Sequence, residues 1–319
     1  MKKYPLKVRY IAKSAIWGGK LLSESWGKQG SGENVAETWE LSVRPKEMGT
    51  VENGEAAGMA LLDYFRAVGG DAVSPTWSVE ERFPLLVKFI DAGDRLSVQV
   101  HPDDAYASRV ENDSGKTEMW VIVAAEPGST IVYGLADGVS REEFARAALE
   151  KRLDDVMMTL PVQAGDCFFI PAGMVHAIGG GILIAEIQQN SDLTYRVYDY
   201  DRRGADGKLR ELHTEKAMEV VRPYTEAEVD AIRFARGCAE GDLLANSKYF
   251  KAYARDIVGE GILFASSDSF VSVLCVGGEG VVSFEGEEYP ISRGDSYFLP
   301  AGMGECSLRG DLRLICSEL

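Results

Sequence analysis

Histidine is scarce in this chain. Three occur in 319 residues, so a histidine-rich binding tract is excluded. Cysteine is also sparse. The five (Cys167, Cys238, Cys275, Cys306 and Cys316) make an odd count without CxxC spacing, which argues against a disulfide framework and for free thiols in a reducing compartment. Positive charge is short as well. Against 50 acidic residues stand 34 basic ones, for a net charge of −16. No basic stripe or polybasic tail of the kind a nucleic-acid surface needs is present. The first residues, Met1 to Pro5, lack the apolar core of a secretory signal. The most apolar stretch, Phe168 to Ile187, is interrupted by Pro171, four glycines, His176 and Glu186, so it does not read as a membrane span. Together these features predict a cytoplasmic protein with neither nucleic-acid nor membrane partners.

What is present is a globular composition, with 45% hydrophobic residues, enough for a sizeable core. Most segments read as strands. Leu96–Val100, Glu118–Ala124, Gly181–Ile187 and Leu193–Tyr200 are β-branched or alternate, and glycine or proline bounds them. Phe270–Val276, Val281–Glu285, Ser296–Leu299 and Leu312–Cys316 follow the same rule. Helical spacing predicts helices over Glu55–Val68, from Ser140 to Leu149 with Ser140 as N-cap and Glu143 as its partner, and over His213–Val221.

An internal repeat sets the architecture. Gly165-Asp166-Cys167-Phe168-Phe169-Ile170-Pro171-Ala172-Gly173-Met174 recurs 129 residues later as Gly294-Asp295-Ser296-Tyr297-Phe298-Leu299-Pro300-Ala301-Gly302-Met303, with seven of ten positions identical. This turn, strand, proline and glycine-turn pattern resembles the second conserved motif of the cupin superfamily. The expected fold is therefore mainly β: two tandem cupin-type jelly-roll barrels with a few short helices. A catalytic domain is expected over 1–225 and a degenerate domain over 226–319. Beyond the repeat, His176 aligns with Glu305, and no histidine follows His213. The second unit is thus expected to lack metal ligands and to act as scaffold or substrate wall.

Two histidines stand where a metal site would want them. Alternate residues of a strand share a face, so Ser97, Gln99 and His101 project together. Glu118 opens the next strand, and His176 follows the proline-glycine turn. Two imidazoles and a carboxylate suit Zn²⁺ and also Mn, Fe, Co or Ni. The plainer reading makes both histidines core or turn residues. Gln99 is the weakest member, because an amide is a poor ligand. His213 opens a helix and is expected at the surface, outside the site.

Several ordered blocks then resemble one family, the type I phosphomannose isomerases in their short bacterial form. They include Trp17-Gly18-Gly19, Ala36-Glu37-Thr38-Trp39-Glu40-Leu41-Ser42, Leu96-Ser97-Val98-Gln99-Val100-His101-Pro102-Asp103, Gly115-Lys116-Thr117-Glu118-Met119-Trp120 and Glu186-Ile187-Gln188-Gln189-Asn190-Ser191-Asp192-Leu193-Thr194-Tyr195-Arg196-Val197-Tyr198-Asp199. The resemblance implies one Zn²⁺ per chain held by Gln99, His101, Glu118 and His176. It also implies a catalytic Arg196, with Lys116 in the same pocket, and interconversion of mannose 6-phosphate and fructose 6-phosphate through a cis-enediol. The base is left open among Lys116, a metal-bound water and Glu186. For the phosphate the expectations are Ser97, Lys88 (unless it pairs with Asp91) and Arg202 with Arg203. The competing readings are another metal-dependent cupin enzyme, such as an oxygenase, and a catalytically silent sugar-phosphate-binding cupin. A monomer or homodimer is expected.

Overall fold

A computed structural model describes residues 1–32, 34–204, 207–236 and 243–319, with the main chain alone over 233–236. Cys238 lies outside the described residues; Cys167, Cys275, Cys306 and Cys316 are buried.

The chain is mainly β, and three large sheets carry it. A seven-stranded sheet runs in the order Arg233–Arg236, Asp166–Ile170, Glu118–Ala125, Ile182–Gln189, Leu85–Ala92, Glu37–Leu41, Ile11–Lys13. A five-stranded sheet runs Met157–Pro161, Thr130–Leu135, His176–Ile178, Val98–Val100, Tyr195–Tyr198. The third sheet is built on three long strands, Lys251–Ala265, Gly304–Glu318 and Val271–Phe284. Barrels were expected, but among the described residues each sheet path ends in free edges. The cupin fold is realised as open, facing sheets.

Alternation along the strands explains the layering. Trp120 and Ile122 point with Ile90 and Ile184 toward the five-stranded sheet, where Tyr133 and Ile178 meet them. Met119 and Val121 point with Leu183, Ala185 and Ile187 the other way, against Leu274, Phe298 and Ile315 of the third sheet. Residues 118–122 and 182–189 are buried throughout, as a strand covered on both faces must be. On the outer face of the five-stranded sheet, Val98, Val100, Tyr195 and Val197 pack against Phe144 and Ala217 of two helices.

The repeat is also a repeat of geometry. Gly165 and Gly294 have φ of 92° and 95°, and Gly173 and Gly302 have 88° and 73°, conformations open to glycine and costly for other residues. The aspartates close the same turn, since Asp166 accepts from the Gln163 N–H and Asp295 from the Ser292 N–H, both at 2.9 Å. The copies part after the turn, where His176 is buried and Glu305 is exposed.

The first strand, Leu6–Arg9, pairs with Ser296–Leu299 of the third sheet, so the N-terminal segment ties the two halves together. Of the expected helices, Ser140 caps Arg141–Leu149 by accepting the Glu143 N–H at 3.1 Å. The third spans Thr214–Val220. The first is split into a short turn at Gly54–Ala56 and a helix at Leu61–Val68, because Gly58 between them sits at φ 84°.

Candidate metal centre and its cavity

His101 follows the strand Val98–Val100, Glu118 opens Glu118–Ala125, and His176 opens His176–Ile178. One ligand atom from each lies within 4.8 Å of the others, and all three residues are buried. The imidazole tautomers are set by the main chain. His101 Nδ1 donates to the Leu193 carbonyl at 2.7 Å, and His176 Nδ1 donates to the Met174 carbonyl at 2.8 Å. Both Nε2 lone pairs therefore face the common point, 3.1 Å apart. Glu118 lies 3.5 Å from His101 Nε2 and 3.4 Å from His176 Nε2, and apart from its ion pair with Lys116 its buried oxygens have no hydrogen-bond partner among the described residues.

Burial, with the Lys116 charge second, pushes the His101 imidazolium down to about 3; burial lowers His176 as well. No proton therefore sits between the two rings at neutral pH. Burial alone would raise Glu118, but Lys116 and then His101 hold it well below the usual carboxylate range. Two neutral imidazoles and an ionised carboxylate form a donor set for a divalent cation. Their spacing also fits, because ligands about 2.0–2.1 Å from a tetrahedral ion lie roughly 3.3–3.4 Å from one another.

The cluster opens into a cavity of about 560 Å³ between the five- and seven-stranded sheets. Two cross-strand rows line it. In the five-stranded sheet His176 pairs with Gln99, and Gln99 with Arg196; directly opposed residues share a face. Arg196 therefore lies on the cavity side, while Tyr195 and Val197 face the helices. In the seven-stranded sheet Trp120 pairs with Glu186, Glu186 with Lys88, and Lys88 with Trp39. Glu186 accepts from the Trp120 indole at 3.0 Å and lies 3.4 Å from Lys88. Burial, reinforced by Glu118, raises the Glu186 carboxyl. Burial disfavours the Lys88 ammonium, but Glu186 and Glu37 together raise it above its ordinary value.

Lys116 lies 2.8 Å from Glu118 and 3.2 Å from His101 Nε2. Ser97, Gln99, Lys88, Lys116, Glu186 and Arg196 all line the cavity. Lys88 takes the cavity alternative and not a pair with Asp91, which instead accepts from the Leu22 N–H. Arg202 is not part of the lining. It donates to Asp199 at 2.7 Å and to the Arg95 carbonyl at 2.5 Å, and these bonds hold it outside. Arg203 is exposed and donates to the Gly207 carbonyl.

His213 corrects the surface expectation. Its N–H donates to the Arg196 carbonyl at 2.7 Å, and its Nδ1 accepts the Arg196 N–H at 3.3 Å. This edge pairing places it in the cavity wall. Trp17, Trp39, Arg210 and Lys216 also line the cavity and were not singled out. Trp17 and Trp39 lie within recognisable blocks, but only strand pairing shows which face they take. No described residue of the third sheet lines the cavity, so that half backs the seven-stranded sheet and forms no wall.

Two family models match the chain. Residues 6–117 match the model for the phosphomannose isomerase type I catalytic domain, and residues 240–319 match that for the mannose-6-phosphate isomerase cupin domain. The chain is 35% identical over 317 residues to a mannose-6-phosphate isomerase of Streptococcus mutans, covering 98% of each. It is 36% identical over 327 residues to the mannose-6-phosphate isomerase ManA of Bacillus subtilis, covering 100% of each. A crystal structure of the mannose 6-phosphate isomerase from Bacillus subtilis superposes with a TM-score of 0.89 at 31% identity, covering 100% of both chains. A mannose 6-phosphate isomerase bound with zinc and yttrium shares the fold, with a TM-score of 0.76 at 15% identity over 98% of both chains.

Proposed function

The chain belongs to the type I phosphomannose isomerases, and from that premise we propose that it interconverts mannose 6-phosphate and fructose 6-phosphate through a cis-enediol, with one Zn²⁺ per chain. The observation that carries this reading is the buried His101, Glu118 and His176 trio, opening into a cavity with Lys116, Glu186 and Arg196 on its walls. Six lysines and arginines against four carboxylates line that cavity in a chain of net charge −16, which favours an anionic ligand. Its volume of about 560 Å³ lies in the range of small-molecule sites. We assign catalysis to the domain 1–225, with 226–319 as its backing, in a cytoplasmic enzyme.

His101, Glu118 and His176 would hold the ion, with Gln99 beside His176 on the adjoining strand as the fourth neighbour. Bound there, a Lewis acid supplies stabilisation of negative charge on a sugar oxygen. The chain's own groups do the rest. Arg196 presents a fixed cation for the enediolate oxygens. Lys116 and Glu186, both buried on the cavity wall, are the groups able to carry the proton between C1 and C2. The Trp120 indole orients the Glu186 carboxyl.

The test is a coupled assay on protein of measured metal content. Turnover of mannose 6-phosphate that disappears with a chelator and returns with zinc supports the reading. A fully metallated protein without turnover rejects it, as does activity that requires oxygen.

A further inference from the structure

The cations of the cavity are not equally neutralised. Lys13 is paired with Glu47 at 2.7 Å, and Lys88 with Glu186 at 3.4 Å and Glu37 at 3.7 Å. By the edge strand Tyr195–Tyr198, two guanidiniums share one buried carboxylate and, among the described residues, the Arg196 guanidinium has none. Arg202 and Arg210 both reach Asp199 Oδ1, at 2.7 and 3.0 Å. Arg202 has a second carboxylate in exposed Asp94 at 3.6 Å. Among the described residues no carboxylate lies within ion-pair distance of Arg196, and its buried Nε has no hydrogen-bond partner. His213 stands beside it. Since its Nδ1 accepts the Arg196 N–H, the proton of the neutral ring is on Nε2, which is a donor. Lys216, also in the wall, is occupied by Glu111 at 2.7 Å. A surplus of forked donors with an unsatisfied buried N–H calls for a multivalent oxyanion.

We propose that Arg210 and His213 form the phosphate subsite, with Arg196 standing between it and the metal ligands. This assignment rests on the isomerase reading and gives that cavity a direction. His176 and Arg196 are two strands apart in one cross-strand row, or about 9–10 Å at ordinary strand spacing. The carbonyl end and the phosphate of an open-chain hexose phosphate lie about 6–8 Å apart at ordinary bond lengths. With C1 and C2 at the trio, that reach brings the phosphate to the Arg196 end of the row, where Arg210 and His213 also line the cavity. The discriminating residue is Arg210, which faces the cavity, and not Arg202 or Arg203, which follow the strand in sequence but are held outside.

The experiment uses zinc-loaded full-length protein and two probes, calorimetric titration with inorganic phosphate and steady-state kinetics with mannose 6-phosphate. Arg210→Gln and His213→Gln are expected to weaken phosphate binding at least tenfold and to raise KM by a similar factor. The larger loss should fall on KM and not kcat, and Arg210→Lys should recover part of it. Arg203→Gln, at an exposed position, should bind phosphate as the parent does. Unchanged phosphate affinity in Arg210→Gln overturns the proposal, as does an equal loss in Arg203→Gln or a loss confined to Lys13→Met, the cavity cation paired with Glu47. If Arg210→Gln does not fold, His213→Gln decides by the same two readouts. Failure of the parent to isomerise mannose 6-phosphate rejects the functional reading alone, because the phosphate titration tests the subsite without turnover.

Discussion

His101 and His176 face each other through their Nε2 atoms at 3.1 Å, while each gives its Nδ1 proton to a main-chain carbonyl. Two neutral rings held this way repel unless a cation lies between them and the Glu118 carboxylate. The backbone thus fixes the tautomers and aims both lone pairs, so that little reorganisation is needed when an ion binds.

His101→Ala and His176→Ala should each lose metal and activity together. Metal analysis of purified variants, with circular dichroism to confirm folding, checks this. A variant that keeps a full complement of metal and turns over would remove that residue from the ligand set.

The same burial makes the chelator-treated protein acid-sensitive. The folded His101 imidazole titrates near 3, below its ordinary 6.5, because burial and Lys116 oppose the charged ring. A depressed folded value means that the unfolded chain binds the proton first. The stabilisation is therefore complete above about pH 6.5 and is lost as pH falls toward 3. Melting temperature of metal-free protein should fall across that window, and less steeply in His101→Gln. A parent curve flat from pH 7 to pH 4 would contradict the assignment.

Lys116 points its ammonium at two ligand residues, 2.8 Å from Glu118 and 3.2 Å from His101, where it opposes an incoming cation. Lys116→Met should lose turnover by two orders of magnitude or more, in keeping with about 10²–10⁴ for a proton-transfer group, yet bind zinc at least as tightly as the parent. Competition against a chromogenic chelator reads the affinity. Weaker binding would mean that Lys116 supports the site.

For Arg196→Ala the expected loss is about 10²–10³ in kcat, the scale of removing one charge-stabilising donor, with metal content unchanged. Full activity would take the guanidinium out of the chemistry.

Lys88 and Glu186 form a buried ion pair. Lys88→Met strands the carboxylate and should cost about 3–5 kcal/mol, read from denaturant melts of metal-free protein. The double variant Lys88→Met/Glu186→Gln should regain much of that stability. Additive losses would show that the two groups act independently.

Much of the candidate site was legible from the chain itself. Ser97, Gln99 and His101 share a face by alternation alone, and the repeated Gly-Asp turn located His176 by its offset from Met174. Arg202 against Arg210 was not legible. Both are arginines after the same strand, and what separates them is the Asp199 carboxylate and the Arg95 carbonyl that hold Arg202 outside. His213 was misplaced for a similar reason. As a residue opening a helix it reads as surface, and only its pairing with the Arg196 backbone turns it into the wall. The expected barrels became open sheets because closure depends on which edges meet, a property of no single strand.

The sequence by itself determined the strand faces, the glycine turns and the set of metal-competent residues, because alternation and positive φ act over a few bonds. Tertiary structure alone decided that His176, Gln99 and Arg196 stand in one row, that Trp39, Lys88, Glu186 and Trp120 stand in the opposing one, and that the third sheet backs the cavity without lining it. Those facts depend on register between strands far apart in the chain, set by which faces find mutual burial and not by any local preference.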